Sequence, residues 1–140
     1  MEGLQDISVS TVLLFCIAIE ALLVYLPFLA VAYGRFQVGY DAAAPRALFD
    51  KLPAYAQRAT WAHQNSFEAF MLFAAAALMA YVTQVDTPIA TIAAIAHVVA
   101  RCLFSPFYIL NLPPLRSLMF AVGSLGTGTL IVLSLMQAIA

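Results

Sequence analysis

Two stretches of this sequence carry polar side chains at spacings that bring them onto one face of a helix. Trp61, Asn65 and Glu68 follow an i, i+4, i+7 pattern. A second stretch repeats the pattern with an imidazole, a guanidinium and two aromatic rings, on His97, Arg101, Phe104 and Tyr108. An amide, a carboxylate, a guanidinium and a phenol in facing columns are groups that hydrogen-bond a polar, anionic ligand.

Both stretches lie inside long apolar segments. The chain has 140 residues, of which 64% are apolar and 9% charged, whereas soluble domains average about 45–50% apolar and about 25% charged residues. A chain this apolar cannot form the polar shell of a soluble domain, and the disordered, disulfide-rich and nucleic-acid-binding classes are excluded as well. The net charge of −1 indicates no particular partner. We therefore predict an all-α integral membrane protein.

Four apolar segments are long enough to cross a hydrocarbon core of about 30 Å at about 1.5 Å per residue. We predict a single domain over residues 1–140 with spans at residues 9–33, 55–82, 88–110 and 115–138. The fourth span carries small residues, among them Gly123, Gly126 and Gly128, that let helix backbones approach closely. A four-helix bundle surrounded by membrane lipids follows.

The residues before the first span bear on targeting, and prolines inside the first and third spans bear on helix shape. Glu2 and Asp6 precede it, where a signal peptide has basic residues, and its apolar run is longer than that of a signal peptide, so we expect the span to be retained. Pro27 lies within it and Pro106 within the third span, and each removes a backbone donor that an uninterrupted helix needs. We expect a kink at each proline.

Basic residues are concentrated in the first loop and beside the third. They are Arg35, Arg46, Lys51, Arg58 and Arg116. Because cytoplasmic loops collect Lys and Arg, we predict that both termini face away from the cytoplasm, in a bacterial inner membrane or an endomembrane. The first loop is also long enough to fold over another part of the protein.

Glu68 and Arg101 are charged residues deep in predicted spans. Glu68 lies ten residues after Arg58, and Arg101 lies nine before Leu110, so both are about 14–15 Å from the basic face. The equal depth predicts a Glu68–Arg101 ion pair that docks two helices. A cavity lined by the two columns is the favoured alternative, because docking requires only one pair and polar groups inside a membrane are expensive.

Metal and nucleotide chemistry find no support in the motifs. The sequence has no glycine-rich phosphate-binding loop and no spacing typical of zinc or di-iron sites around Cys16, Cys102, His63 or His97. His63 lies about 200° around its helix from Asn65, at 100° per residue. We predict no metal, buried free thiols, and a packing or interfacial role for His63.

The segment RATWAHQNSFE, residues 58–68, resembles the R-A-H-x-N-x-x-E signature of the MAPEG family, the membrane-associated proteins of eicosanoid and glutathione metabolism. The segment ARCLFSPFY, residues 100–108, followed by PLRS, residues 114–117, resembles the second signature of that family. The resemblance implies a microsomal glutathione transferase-like homotrimer of four-helix protomers, with glutathione at each protomer interface. The activity it implies is a glutathione-dependent transferase or peroxidase acting on lipophilic electrophiles.

The resemblance also implies roles for individual residues. Asn65, Glu68, Arg101 and Tyr108 match glutathione-contacting positions, and Arg35 stands near a loop arginine that does the same. Arg116 matches the catalytic arginine that stabilises the glutathione thiolate, a role that follows from the lower pKa of a thiol beside a guanidinium.

Two positions depart from the family pattern. Trp61 stands where the family has an arginine that contacts glutathione, and Phe104 stands where it often has His or Tyr. Loss of a bidentate anion clamp costs about 1.5–3 kcal/mol. Arg58, seven residues before Asn65, is the candidate replacement in glutathione binding. The departures keep a second function open, that of a non-catalytic lipid-binding or structural membrane protein, or of an accessory subunit in a larger complex.

Overall fold

The computed structural model describes residues 7–140, and Glu2 and Asp6 lie outside the described residues. The described chain is helical. Its elements are α1 (Val9–Leu23), α2 (Leu26–Gln37), a 3-10 helix (Pro45–Lys51), α3 (Ala54–Val82), α4 (Pro88–Ile109) and α5 (Pro113–Ala138). Four stretches are long and apolar enough to cross a membrane, namely α1 with α2, α3, α4 and α5. The predicted all-α class and four-helix bundle are confirmed.

The first span is broken into α1 and α2 at Val24 and Tyr25. Pro27, in the first turn of α2, has no N–H to donate, and the Phe28 amide turns to the Tyr25 carbonyl (3.0 Å). The Val24 carbonyl accepts instead from Nδ1–H of His63 on α3 (2.8 Å). His63 therefore has the predicted packing role, because it satisfies a carbonyl at the break.

Pro106 does not divide the third span, since α4 continues through it as one helix. Thr87 caps the start of α4 by accepting the Ala90 amide (3.4 Å), and Pro88 occupies the first turn, where no backbone donor is needed. Pro106 lies three residues before the end of α4 at Ile109, and the predicted kink there stays a prediction.

Small residues let α4 and α5 approach closely. A Cβ added to Gly126 would lie 2.6 Å from the Ala93 carbonyl oxygen, closer than real Cβ atoms come to any atom. The core beside this contact contains Leu13, Phe73 and Leu130, all fully buried. The predicted packing role of small residues on the fourth span is seen at Gly126, and Gly128 has no atom within 4 Å of an added Cβ.

The outer surface of the bundle is apolar. Leu22, Val82 and Leu125 are 75%, 75% and 71% exposed, a surface that only lipid or another apolar protein surface can cover. Of the two thiols, Cys16 is buried but Cys102 is exposed on α4, because Cys102 lies on the outer face of that helix. The protein is an integral, multi-pass membrane protein.

Candidate functional site

The acidic partner of Arg101 is Glu20 on α1. Glu20 is fully buried and Arg101 is 3% exposed, with 3.8 Å between Glu20 Oε1 and Arg101 Nε. His97 Nε2 lies 3.7 Å from the same oxygen. The predicted Glu68–Arg101 ion pair is wrong. Arg101 lies on the face of α4 that points into the bundle, whereas the Glu68 side chain is exposed on α3.

Arg101 has two further contacts inside the bundle. Its Nη2 donates to Ser66 Oγ on α3 (3.2 Å), and its Cζ lies 4.1 Å from the centroid of the Phe104 ring. Phe104 is 2% exposed and meets the Tyr108 ring edge-on at 5.6 Å. The predicted column on α4 is therefore divided: His97 and Arg101 point into the core, and Tyr108 points outward.

Four of the predicted site residues line two adjoining cavities beside α3, α4 and α5. The first has a volume of about 490 Å³ and is lined by Trp61, Gln64, Asn65, Glu68 and Tyr108. The second has a volume of about 310 Å³ and is lined by Asn65, Phe104, Tyr108, Arg116, Ser117 and Phe120. Because Asn65 and Tyr108 border both cavities, we treat them as one site, called here the polar cleft.

The polar cleft contains an unsatisfied acceptor and a positive charge. The Asn65 Oδ1 atom is buried and has no hydrogen-bond partner among the described residues. The Arg116 guanidinium lies 4.6 Å from the centroid of the Tyr108 ring, a cation–π contact that holds it at the cleft. A ligand with a donor for Asn65 and a negative charge for Arg116 fits this arrangement.

A larger cavity of about 930 Å³ lies on the other side of Gln64 and Glu68, between α2 and α3. We call it the α2–α3 cavity. Arg35, predicted near the glutathione site, lines this cavity together with Arg46, and both cavities share Gln64 and Glu68. Arg35 and Asn65 thus line different cavities within one chain.

Arg58 has a structural contact at the end of α4. Its Nε–H donates to the Ile109 carbonyl (2.8 Å), one of the last four carbonyls of a helix that have no partner within it. It does not line the polar cleft or the α2–α3 cavity. The contact gives Arg58 a role that ligand binding does not require.

The family model of the MAPEG family matches residues 12–136 of the chain. The chain belongs to the MAPEG family. No curated protein and no solved structure matches it. The match extends from α1 to α5 and so covers every element that lines the polar cleft of this MAPEG protein.

Sequence reasoning missed Gln64 and Arg46, which line the cavities of this MAPEG protein. Gln64 had a signal, because it lies one turn before Glu68 on the same face of α3. Arg46 had none beyond its charge, since the fold of the first loop decides where it points. Within residues 7–140 no cluster of three His, Cys, Asp or Glu side chains is arranged to hold a metal ion.

Proposed function

We propose that this MAPEG protein is a glutathione-dependent transferase or peroxidase that acts on lipophilic electrophiles. The observation that carries the proposal is the convergence of Asn65, Glu68, Tyr108 and Arg116 from three helices on one polar cleft. The polar side chains and the unpartnered Asn65 oxygen fit a ligand such as glutathione, which has several hydrogen-bonding groups and carries net negative charge.

Asn65, Glu68, Tyr108 and Arg116 would hold glutathione in the cleft. Glutathione supplies a thiol, which is nucleophilic as the thiolate. Arg116 carries the positive charge that stabilises an anion at its side, and the Tyr108 hydroxyl is a donor for the same region. Trp61, 43% exposed, adds an apolar wall where the resemblance implies an arginine.

We infer that the cleft opens sideways, toward the bilayer. The Trp61, Gln64 and Glu68 side chains that border it are exposed in the single chain. An apolar substrate dissolved in the bilayer would reach the cleft without crossing water. We propose that a second protomer of a homotrimer borders this opening without closing it, that the basic end of the bundle faces the cytoplasm, and that the membrane is a bacterial inner membrane or an endomembrane.

Arg101 and Arg35 enter the proposal differently from the other four residues. Arg101 is buried with Glu20 and contacts the cleft through Phe104, so its contribution would be to position that ring. Arg35 would contact glutathione only from a neighbouring protomer or around Glu68. Their assigned contacts with glutathione stay predictions.

The test uses the purified protein in detergent. Titration with glutathione should give binding by calorimetry and the ultraviolet absorbance of a thiolate. Arg116→Ala should remove the thiolate absorbance and leave the oligomeric state unchanged. Arg46 lies outside the cleft, so the control variant Arg46→Ala should retain both signals. Absence of both signals from the unmodified protein, under conditions where an active MAPEG transferase gives both, would falsify the proposal.

The second candidate is a non-catalytic lipid-binding protein or accessory subunit of a larger membrane complex. Trp61 favours it, since an indole replaces the arginine that the resemblance implies. Stoichiometric co-purification with one unrelated membrane protein, with no turnover of a lipid hydroperoxide or electrophile by the isolated chain, would support this role over catalysis.

A further inference from the structure

We infer that Glu20, buried on α1, is a positioning residue for Arg116 at the polar cleft. Side-chain contacts join the two residues through Arg101, Phe104 and Tyr108. Glu20 does not line the cleft, so it acts there only through these contacts. The inference rests on the proposed function, because the position of Arg116 matters to catalysis only where a thiol binds beside it.

The core end of this chain of contacts fixes the Arg101 guanidinium. Glu20 Oε1 lies 3.8 Å from its Nε atom, and Ser66 Oγ accepts from its Nη2 atom at 3.2 Å. His97 Nε2 lies 3.7 Å from the same Glu20 oxygen, and His97 Nδ1–H donates to the Gly123 carbonyl of α5 (2.9 Å). Among these groups Glu20 alone carries a negative charge. A buried charge attracts a guanidinium more strongly than a neutral hydroxyl does, so Glu20 determines which way Arg101 points.

Arg101 holds the Phe104 ring, which in turn meets Tyr108. The three residues follow an i, i+3, i+7 pattern and so lie on neighbouring turns of α4. The Arg101 Cζ atom lies 4.1 Å from the Phe104 centroid, and the Phe104 and Tyr108 rings meet at 71° with their centroids 5.6 Å apart. Cation–π and edge-to-face contacts both depend on orientation. A turn of the guanidinium would therefore displace both rings.

The turn after α4 brings Arg116 back over the Tyr108 ring. Asn111 has a φ of 58°, in the left-handed region that often ends helices, and the Leu112 amide donates to the Phe107 carbonyl (2.9 Å). α5 begins directly afterwards and places the Arg116 Cζ atom 4.6 Å from the Tyr108 centroid. Because the Arg116 side chain rests on this ring, the orientation of Tyr108 sets where the positive charge lies in the cleft.

The first test needs no ligand. It is fluorine NMR of the full chain labelled with 3-fluorotyrosine, in which Tyr108→Phe identifies the Tyr108 resonance. Glu20→Gln keeps the shape of the side chain and removes its charge, so it should shift that resonance. Leu13→Ala is the matched control, since Leu13 is fully buried on the same helix and lies outside this chain of contacts. The control opens a cavity in the core and should leave the Tyr108 resonance unchanged.

The second test is the pH dependence of the thiolate absorbance in protein saturated with glutathione. Glu20→Gln should raise the pH at which half of the bound thiol is ionised by about one unit, a tenfold loss of thiolate stabilisation, because Arg116 no longer lies in its place beside the sulfur. Glutathione affinity measured by calorimetry below that pH should stay nearly unchanged, because the neutral thiol does not need the arginine. Leu13→Ala should leave the pH of half-ionisation unchanged.

A double variant tests whether Arg101 transmits the effect. If Glu20 acts through Arg101, Glu20→Gln should add nothing to Arg101→Met, and the double variant should match Arg101→Met in both measurements. Glu20→Asp keeps the charge on a shorter side chain. A smaller shift in the same direction from Glu20→Asp supports the inference even where Glu20→Gln folds poorly.

An unchanged Tyr108 resonance in Glu20→Gln, or an equal shift in Leu13→Ala, would overturn the inference. Tighter glutathione binding by Glu20→Gln would overturn it too, since that result would show that Glu20 keeps Arg101 away from the ligand. Failure of the proposed function is a separate result. If the unmodified protein gives no thiolate signal, the Tyr108 resonance still decides whether Glu20 positions this ring.

Discussion

The Glu20 carboxylate lies 3.8 Å from the Arg101 guanidinium in the interior of the bundle. Both Glu20 oxygens lack a hydrogen bond among the described residues, so Arg101 and His97 are the groups that offset the burial of this charge. Replacing one member of a buried ion pair leaves the other charge without compensation, which costs more than the pair itself contributes.

Glu20→Leu should therefore lower the free energy of unfolding by about 3–5 kcal/mol, since it leaves Arg101 unpaired in the core. Unfolding in mixed detergent micelles measures the change. Glu68→Leu, at an exposed carboxylate on α3, should change stability by about 0.5 kcal/mol or less. The double variant Glu20→Leu with Arg101→Met should recover most of the loss, and an equal loss from both glutamate variants would contradict the pairing.

Close packing of α4 and α5 gives a second prediction. Gly126→Ala places a methyl group 2.6 Å from the Ala93 carbonyl oxygen, so we expect the free energy of unfolding to fall by about 1–3 kcal/mol through overpacking. Gly128→Ala adds the same methyl group where no atom lies within 4 Å. That variant should be neutral or slightly more stable, because alanine favours helix over glycine. Equal melting temperatures for the two variants would argue against this contact.

The number of membrane spans and their helical structure could be predicted because an apolar run of a given length has few alternatives in a membrane. The rotation of each helix could not be read from depth alone. Glu68 and Arg101 were predicted at equal depth, yet Arg101 shares its face of α4 with buried Ala90, Ala94 and His97. That stripe of buried residues was the available sign that Arg101 points into the core.

The site was predictable where a side chain points out of the bundle. Asn65 and Tyr108 were predicted to share a cavity and both line the polar cleft. Glu20 could not be predicted as the partner of Arg101, because nothing in one sequence says which of several distant charges will face it. The contact between Arg58 and the Ile109 carbonyl depends on where α4 ends, which the order of residues does not specify.

A trade between stability and binding is expected at Asn65. Its Oδ1 atom is buried without a partner, so Asn65→Leu should raise the free energy of unfolding by about 1 kcal/mol or more by removing an unsatisfied acceptor. The same variant should weaken glutathione binding at least tenfold in calorimetry. Gln64→Leu, at an exposed amide on the same helix, should give no such gain in stability. Lower stability for Asn65→Leu would show that the amide oxygen is satisfied in the membrane-embedded protein.

Substitution of Arg58 distinguishes a role in capping α4 from a role in binding the ligand. Because its Nε–H donates to the Ile109 carbonyl (2.8 Å), Arg58→Met should lower the free energy of unfolding by about 1.5–3 kcal/mol, the usual contribution of a hydrogen bond to a charged group. Glutathione affinity, measured by calorimetry at a temperature where the variant is folded, should stay within about twofold of the unmodified protein. A tenfold loss of affinity with unchanged stability would instead assign Arg58 to the ligand, as the replacement for the arginine that Trp61 displaces.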